Sequence, residues 1–518
     1  MGLLAASPAT YGVFLVLTAC ALFIRYLAAD PLRKFNGPPL AALVPWLFTY
    51  PAMKAEWHTT NLKWHRRYGS AVRIAPNFLS FDTYEAFCDI YSAKANFRKA
   101  PEYMVLSPSR RGNAVSTQDK KVSQFKRKSE GPFFGDKSIR DLEDRYVDKV
   151  ASFTTLLCPL EGPDGQKSAW TEPRDISKFT SWLTLDVITD LLYGESFDLL
   201  HSEENRWVPE TFRNVQWRNL ICMSYPTLFK WKLDRVLLYR AREEISRLAA
   251  WSLDICRAQA KRCADENRPD LFTSMMAAEE KRTGNPDIEG NIKDIWAESM
   301  FLLAAGSEST ATTMAITYHY LVHQPDLLAK VTAEVRSAFS NVEDIRTGET
   351  LDSLRMFQAC ILETLRISPA APNTLPRIVP AGGATVDGHF LPGGTTVGTS
   401  LYTMHHNEKY FDDPDSFVAD RWLRRLEDSA GKDIAYHPSP GYAPFSMGTR
   451  NCLGWRLAWA EMTVALARVL FSFDMRLTSE APCCATRQPG KACEPNAPGY
   501  ITMCAAGGPY VEFRPRQG

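Results

Sequence analysis

Phe445-Ser446-Met447-Gly448-Thr449-Arg450-Asn451-Cys452-Leu453-Gly454 is the stretch that decides how this chain of 518 residues is read. Its pattern is F-x-x-G-x-R-x-C-x-G, a cysteine in a glycine-bounded loop that runs into a helix. Five such fixed positions arise by chance in a chain of this length on the order of once in ten thousand sequences. Gly448 can take a positive φ and lets the backbone turn tightly. Beyond the cysteine, Leu453, Leu457, Ala460, Val464, Ala467 and Phe471 recur at helical spacing on one face. Cys452 is therefore expected at a helix N-terminus, where the dipole and free N–H groups stabilise a thiolate. A lone cysteine is usually a buried structural residue; the flanking pattern removes Cys452 from that class.

The loop resembles the haem-binding loop of the cytochrome P-450 superfamily, and the resemblance implies that the Cys452 thiolate is the axial iron ligand. Phe445 would then shield the sulfur from water, Gly448 would let the backbone pass close to a flat macrocycle, and Arg450 would aim a cation at a haem propionate. N–H groups near the sulfur would tune how much electron density it gives to iron, which favours O–O cleavage.

Composition bounds the rest. Hydrophobic residues make up 45% of the chain and the formal net charge is +1, so no global basic field points to nucleic acid. The 12 cysteines are scattered, which fits a reducing, cytosol-facing location better than a disulfide framework. The motifs run from about residue 37 to 476 without a Gly/Ser-rich linker, so a single catalytic domain is expected over residues 40–518. Residues 11–24 are apolar without interruption, and the apolar run extends far enough on both sides to cross a membrane, which needs roughly 20 residues. Residues 1–29 are expected to be an N-terminal transmembrane helix, with Arg25, Arg33 and Lys34 on the cytosolic side. A cleaved secretory signal would have a basic first segment, which is missing here. Residues 30–39 form a proline-rich hinge similar to that of membrane-bound cytochromes P-450.

The periodicity predicts helices at about 53–68, 138–158, 176–193, 234–266, 292–323 and 353–367. It predicts strands at Val72 to Ala75 and Phe78 to Phe81, and a small sheet over 376–400. The fold class is thus mainly α with a small β region, the cytochrome P-450 fold. The aromatic-rich segment 195–232 resembles the substrate lid of that family; aromatics packing on their own helices is the equal alternative. Residues 479–498 contain Cys483, Cys484 and Cys493 but no histidine and no zinc spacing, and read as a surface insertion.

Other motifs join the cysteine loop. Glu363 and Arg366 lie three apart on one helical face. Upstream of Cys452, the run Pro414 to Trp422 resembles the family segment whose arginine, here Arg421, completes a Glu-Arg-Arg triad. Planar guanidinium groups bind a carboxylate bidentately, which makes such a triad a geometric clamp. Ala304-Ala305-Gly306-Ser307-Glu308-Ser309-Thr310 resembles the family's A-G-x-[DE]-T oxygen-activation motif, with Ser309 where threonine is usual and Thr310 next. Glu308, Ser309 and Thr310 are the catalytic candidates, Glu308 connecting to solvent. A glycine inside a helix costs about 1 kcal/mol, so Gly306 suggests a purpose such as local widening for O2. Arg127 resembles the family's [WH]-x-x-x-R arginine, with Ser123 in place of the aromatic partner. Arg377 follows the Glu363 helix at the family's usual place. Both would reach haem propionates. Lys120, Lys121, Lys126 and Lys128 form a basic face suited to an acidic electron donor.

The resemblance is greatest to fungal secondary-metabolism members such as trichothecene-pathway hydroxylases. It implies a single-pass protein of the endoplasmic reticulum membrane with a cytosolic catalytic domain. It implies haem, O2, a small apolar substrate of terpenoid or polyketide type, and NADPH electrons through a separate reductase. This chain carries no flavin or nicotinamide fingerprint of its own. Two other readings stay open: a haem-thiolate enzyme of altered chemistry (phenol coupling, desaturation or rearrangement) and a non-enzymatic haem-binding protein.

Overall fold

The computed structural model describes Thr18 and residues 29–108, 112–159, 170–265, 270–284, 288–428, 436–478 and 494–516. The expected anchor lies almost wholly outside the described residues, as does most of the cysteine-rich insertion. Among the described residues no helix is long and apolar enough to cross a membrane.

Six helices build the site: α1 (Lys120–Glu130), α2 (Ile176–Tyr193), α3 (Trp207–Ser224), α4 (Ile288–His323), α5 (Arg355–Ile367) and α6 (Trp455–Ser472). Two of them are apolar on nearly all sides and so are driven to the centre. On α4, Ala297, Leu303, Met314, Ala315 and Leu321 are all buried; on α6 the whole run from Val464 to Leu470 is. α4 packs lengthwise against α2. The contact closes on Gly306, where an added Cβ would stand 2.9 Å from Ile188 Cγ1. The expected widening at Gly306 is corrected: α4 is uninterrupted α-helix there, and the missing side chain admits Ile188.

Strands β1 (Ala71–Ala75), β2 (Phe78–Phe81), β3 (Arg98–Lys99), β5 (Arg377–Ile378) and β8 (Thr396–Thr399) form a five-stranded sheet in the order β1-β2-β8-β5-β3. β1 and β2 are antiparallel, with Ala71 opposite Phe81, and β2 runs parallel to β8, with Phe78 opposite Thr396. Of the expected sheet over 376–400, β5 and β8 therefore join the same sheet as the first two strands, and the rest pairs separately. Between β3 and β5, Lys99 lies directly opposite Arg377. β4 (Arg174–Asp175), β10 (Tyr510–Pro515) and β9 (Phe473–Leu477) form a second sheet, and β6 (Ala384–Val386) pairs with β7 (His389–Leu391).

Three expected helices are broken. The first, predicted at 53–68, begins at Trp57, after a break in which Ala55 has φ 56°. The second, predicted at 138–158, is divided at Leu142 into Asp136–Asp141 and Glu143–Leu157. The stretch predicted at 234–266 is a short turn, Asp234–Leu237, followed by Tyr239–Asp265. Residues 30–36 lie against the sheet: Leu32 and Phe35 are buried, Arg73 Nη1 donates to Asp30 Oδ2 at 2.5 Å, and Arg73 N donates to Asn36 O at 2.8 Å.

Candidate functional site

The Glu363 clamp fixes the floor. Glu363 and Arg366, one turn apart on α5, are fully buried and joined twice, at 2.8 and 2.9 Å. Arg366 also donates to the carbonyls of His405 (3.0 Å), Pro414 (2.7 Å) and Ser416 (2.9 Å). Glu363 further accepts from Val418 N at 2.9 Å, Arg421 Nε at 3.1 Å and Trp422 Nε1 at 2.8 Å. The predicted triad is assembled, and every charged group in it is satisfied. His405 carries the clamp toward the cysteine loop. Its Nδ1–H donates to Arg366 O at 3.1 Å and its Nε2 accepts from Ala443 N at 3.1 Å, two residues before Phe445. Burial pulls the His405 pKa down to about 3, which keeps it in that neutral tautomer.

From this floor rises the loop. Gly448 has φ 72°, and a Cβ there would stand 2.2 Å from Tyr91 O, so only glycine fits. Cys452 N donates to Phe445 O at 2.9 Å, and the Phe445 ring packs near Trp455. Cys452 is accessible and lines a cavity of about 310 Å3. Burial raises its thiol pKa, while the Gly454 N–H and Arg127 lower it. α6 begins at Trp455, three residues after Cys452, so the expected helix-terminal stabilisation of the sulfur comes down to the Gly454 N–H.

Four cations meet beside the cavity. Arg127 donates to Asn451 O at 2.9 Å and Oδ1 at 2.7 Å, next to the cysteine. Arg377 donates to Tyr103 Oη at 3.1 Å and Pro376 O at 3.0 Å. Arg450 donates to Ala114 O at 2.9 Å, Thr117 O at 3.3 Å and Ser123 Oγ. Ser123, where the family pattern has an aromatic, thus tethers Arg450. The fourth cation, Lys99, was missed in the sequence. It is buried, donates to Val115 O at 2.5 Å, and is held well below the usual lysine range by burial and then by Arg377, Arg450 and Arg127. Burial, followed by Arg377 and Arg127, lowers Arg450 to about 10. The hydrogen bonds of all four go to uncharged groups. Such clustered, mutually repelling cations suit a dianion. The donor set fits haem: a sulfur for iron at the loop and four cations for two carboxylates.

α4 forms another wall. Ser309, Thr310 and Thr313 line the same cavity as Cys452, Leu453 and Ala370. Ser309 Oγ donates to Ala305 O at 2.7 Å. Glu308 does not reach solvent as expected: it is 2% exposed, because α3 and the C-terminal loop cover it. Its Oε2 accepts from the Cys504 thiol at 3.4 Å, and its Oε1 has no partner. Two further buried carboxyls on the cavity wall, Glu130 and Glu461, were silent in the sequence; burial raises both well above the usual range. In the expected lid, Phe212 is buried and Trp217 Nε1 donates to Met53 O at 2.8 Å, while Trp231 is exposed. Of the basic face, Lys126 is turned inward to Glu298 at 2.8 Å; Lys120, Lys121 and Lys128 remain outside. Among the described residues no His/Cys/Asp/Glu cluster could hold a separate metal ion.

A helical protein with one cavity-facing thiol beside buried cations defines the haem-thiolate class. Comparison with known proteins gives the same class. The family model for cytochrome P-450 matches residues 37–503. The chain is 31% identical to cytochrome P-450 monooxygenase poxM of Penicillium oxalicum, over 97% of this chain and 93% of the relative. It is 31% identical to cytochrome P-450 monooxygenase atnE of Emericella nidulans (97% and 95% covered) and 30% identical to cytochrome P-450 monooxygenase apf7 of Gibberella fujikuroi (100% of both). The chain belongs to the cytochrome P-450 family and is an enzyme of its monooxygenase class.

Proposed function

We propose that this enzyme inserts one oxygen atom of O2 into a small apolar molecule of fungal secondary metabolism, of terpenoid or polyketide type. Electrons come from NADPH through a separate reductase at the endoplasmic reticulum membrane. The observation that carries the reading is the Cys452 thiol lining a largely apolar cavity beside Lys99, Arg127, Arg377 and Arg450. Cys452 would hold the iron and the four cations the carboxylates. When bound, the haem supplies the redox chemistry that splits O2.

This chain's residues supply the setting. Phe445 and Leu453 keep water from the sulfur. Leu302, Ala305, Ala370 and Leu375 give the substrate an apolar wall. Ser309 Oγ and Thr310 Oγ1 stand on the helix turn that faces the thiol side and can pass a proton inward; Glu308 is its reservoir. Positioned acids of this kind contribute about 10²–10⁴-fold.

The dithionite-reduced, CO-treated protein is expected to show the red-shifted Soret band of thiolate ligation, and Cys452→His to lose it. A normal band in that variant refutes the assignment. Ser309→Ala is expected to retain haem and divert NADPH electrons to hydrogen peroxide. A second reading, altered haem-thiolate chemistry, is favoured by the Ser309 hydroxyl being engaged with Ala305 O. Product lacking ¹⁸O after turnover under ¹⁸O2 would establish it.

A further inference from the structure

The cover over Glu308 is a built polar chain. The C-terminal loop that carries it is pinned at three points: Met503 N donates to Ala370 O at 2.9 Å, Cys504 N to Pro498 O at 3.1 Å, and Ala505 N to Thr312 Oγ1 at 3.3 Å. This places the Cys504 sulfur, 1% exposed, against Glu308 Oε2. The sulfur also lies 3.8 Å from Thr502 Oγ1 and 4.0 Å from Gln216 Nε2 of the lid helix α3. Gln216 Oε1 in turn accepts from Thr502 N at 2.8 Å and Thr502 Oγ1 at 2.5 Å, and Thr502 lines the cavity. A continuous chain thus joins Glu308 to the cavity wall and to α3.

Accepting the proposed role of Glu308 in proton delivery, we infer that Cys504 is a positioning residue for this reaction: its thiol, with the sulfur held by the Gln216 Nε2–H, holds the Glu308 carboxyl in place for proton transfer. Three facts carry this. Glu308 Oε1 is buried without a partner, so the Cys504 S–H is the one hydrogen bond that orients the carboxyl among the described residues. Leaving a buried carboxylate oxygen unpaired is costly, so even a weak donor matters. The thiol is such a donor, and it leaves the carboxyl able to take and give a proton. Burial raises Glu308 above the usual carboxylate range; Arg213 of α3 and the thiol both lower it. Tyr500 is the other titratable group beside Cys504 and Arg213.

The sign follows. Cys504→Ala removes a donor to the ionised form. The limb of the coupled-turnover pH profile that belongs to Glu308 should move to higher pH, and coupled turnover should fall about tenfold, less than the ~10²–10⁴-fold for loss of the acid itself. Cys504→Ser, a stronger donor of similar shape, should return the limb to the wild-type position or below it. In the resting protein the S–H stretching band lost in Cys504→Ala should shift in Glu308→Gln; this readout needs no turnover. An S–H band indifferent to Glu308→Gln overturns the inference, as does a pH profile that is the same in Cys504→Ala and wild type while Glu308→Gln uncouples. If Glu308→Gln itself stays coupled, the proton-delivery role fails and this inference with it. Should Cys504→Ala fail to load haem, the serine variant and the wild-type infrared band still decide.

Discussion

Arg366→Ala tests whether the triad behind the cysteine loop is structural. The wild-type guanidinium is fully buried and makes five hydrogen bonds, two to Glu363 and three to the carbonyls of His405, Pro414 and Ser416. Truncation leaves three buried carbonyls without donors and leaves Glu363 with Val418 N, Arg421 Nε and Trp422 Nε1. Removing one partner of a buried ion pair costs about 3–5 kcal/mol, against a total stability of about 5–15 kcal/mol. Arg421→Ala should cost far less, about 1 kcal/mol, because its side chain sits nearer solvent and makes one carboxylate contact. The assay is urea unfolding of the holoenzyme, followed by the Soret band and tryptophan emission, with the slope m compared between variants. Arg366→Ala should lower the midpoint sharply or prevent haem loading, and Arg421→Ala should lower it slightly. Equal losses in the two variants would refute the clamp. A stable, haem-loaded but inactive Arg366→Ala would assign the triad to catalysis instead.

Acid should destabilise the protein below about pH 6.5. Burial lowers His58 and His65 from 6.5 to about 4 and His405 to about 3, so each is neutral when folded and takes a proton on unfolding. Their stabilisation is complete above pH 6.5 and is lost as pH falls, at about 1.4 kcal/mol per pH unit for each histidine; urea midpoints between pH 7.5 and 4.5 would check it, and a flat profile would contradict it. Gly306→Ala should destabilise by about 1–3 kcal/mol through overpacking on Ile188, and Ile188→Ala should relieve the loss in thermal melts of the double variant. Lys99→Met should leave the apoprotein as stable or more so, since it removes a buried, crowded cation. Yet it should release haem to apomyoglobin about 10–100-fold faster, given the ~1.5–3 kcal/mol of a charge-assisted contact; unchanged release would remove Lys99 from the cradle.

The cysteine loop, the α5 clamp and the α4 segment were legible because each is local. Glu363 and Arg366 meet by helix geometry alone, and Gly448 announces a turn by its freedom at positive φ. Most helix spans were legible for the same reason, since periodicity reports burial within one element. Lys99 was not. In sequence it is one basic residue beside another, Arg98, and only the pairing of β3 with β5 sets it opposite Arg377. His405 looks like either of two adjacent histidines until the fold sets it between Arg366 O and Ala443 N.

The amino-acid order alone determined the family, the sulfur ligand candidate and the mainly helical plan, since these depend on residues a few positions apart. The tertiary structure decided the polar surroundings: which four cations crowd together, that Gly306 receives Ile188, and that Cys504 covers Glu308 from 196 residues away. A charge's environment is set by what is brought within a few ångströms and what water is excluded. Chain segments far apart in sequence create both, so that information exists only after folding.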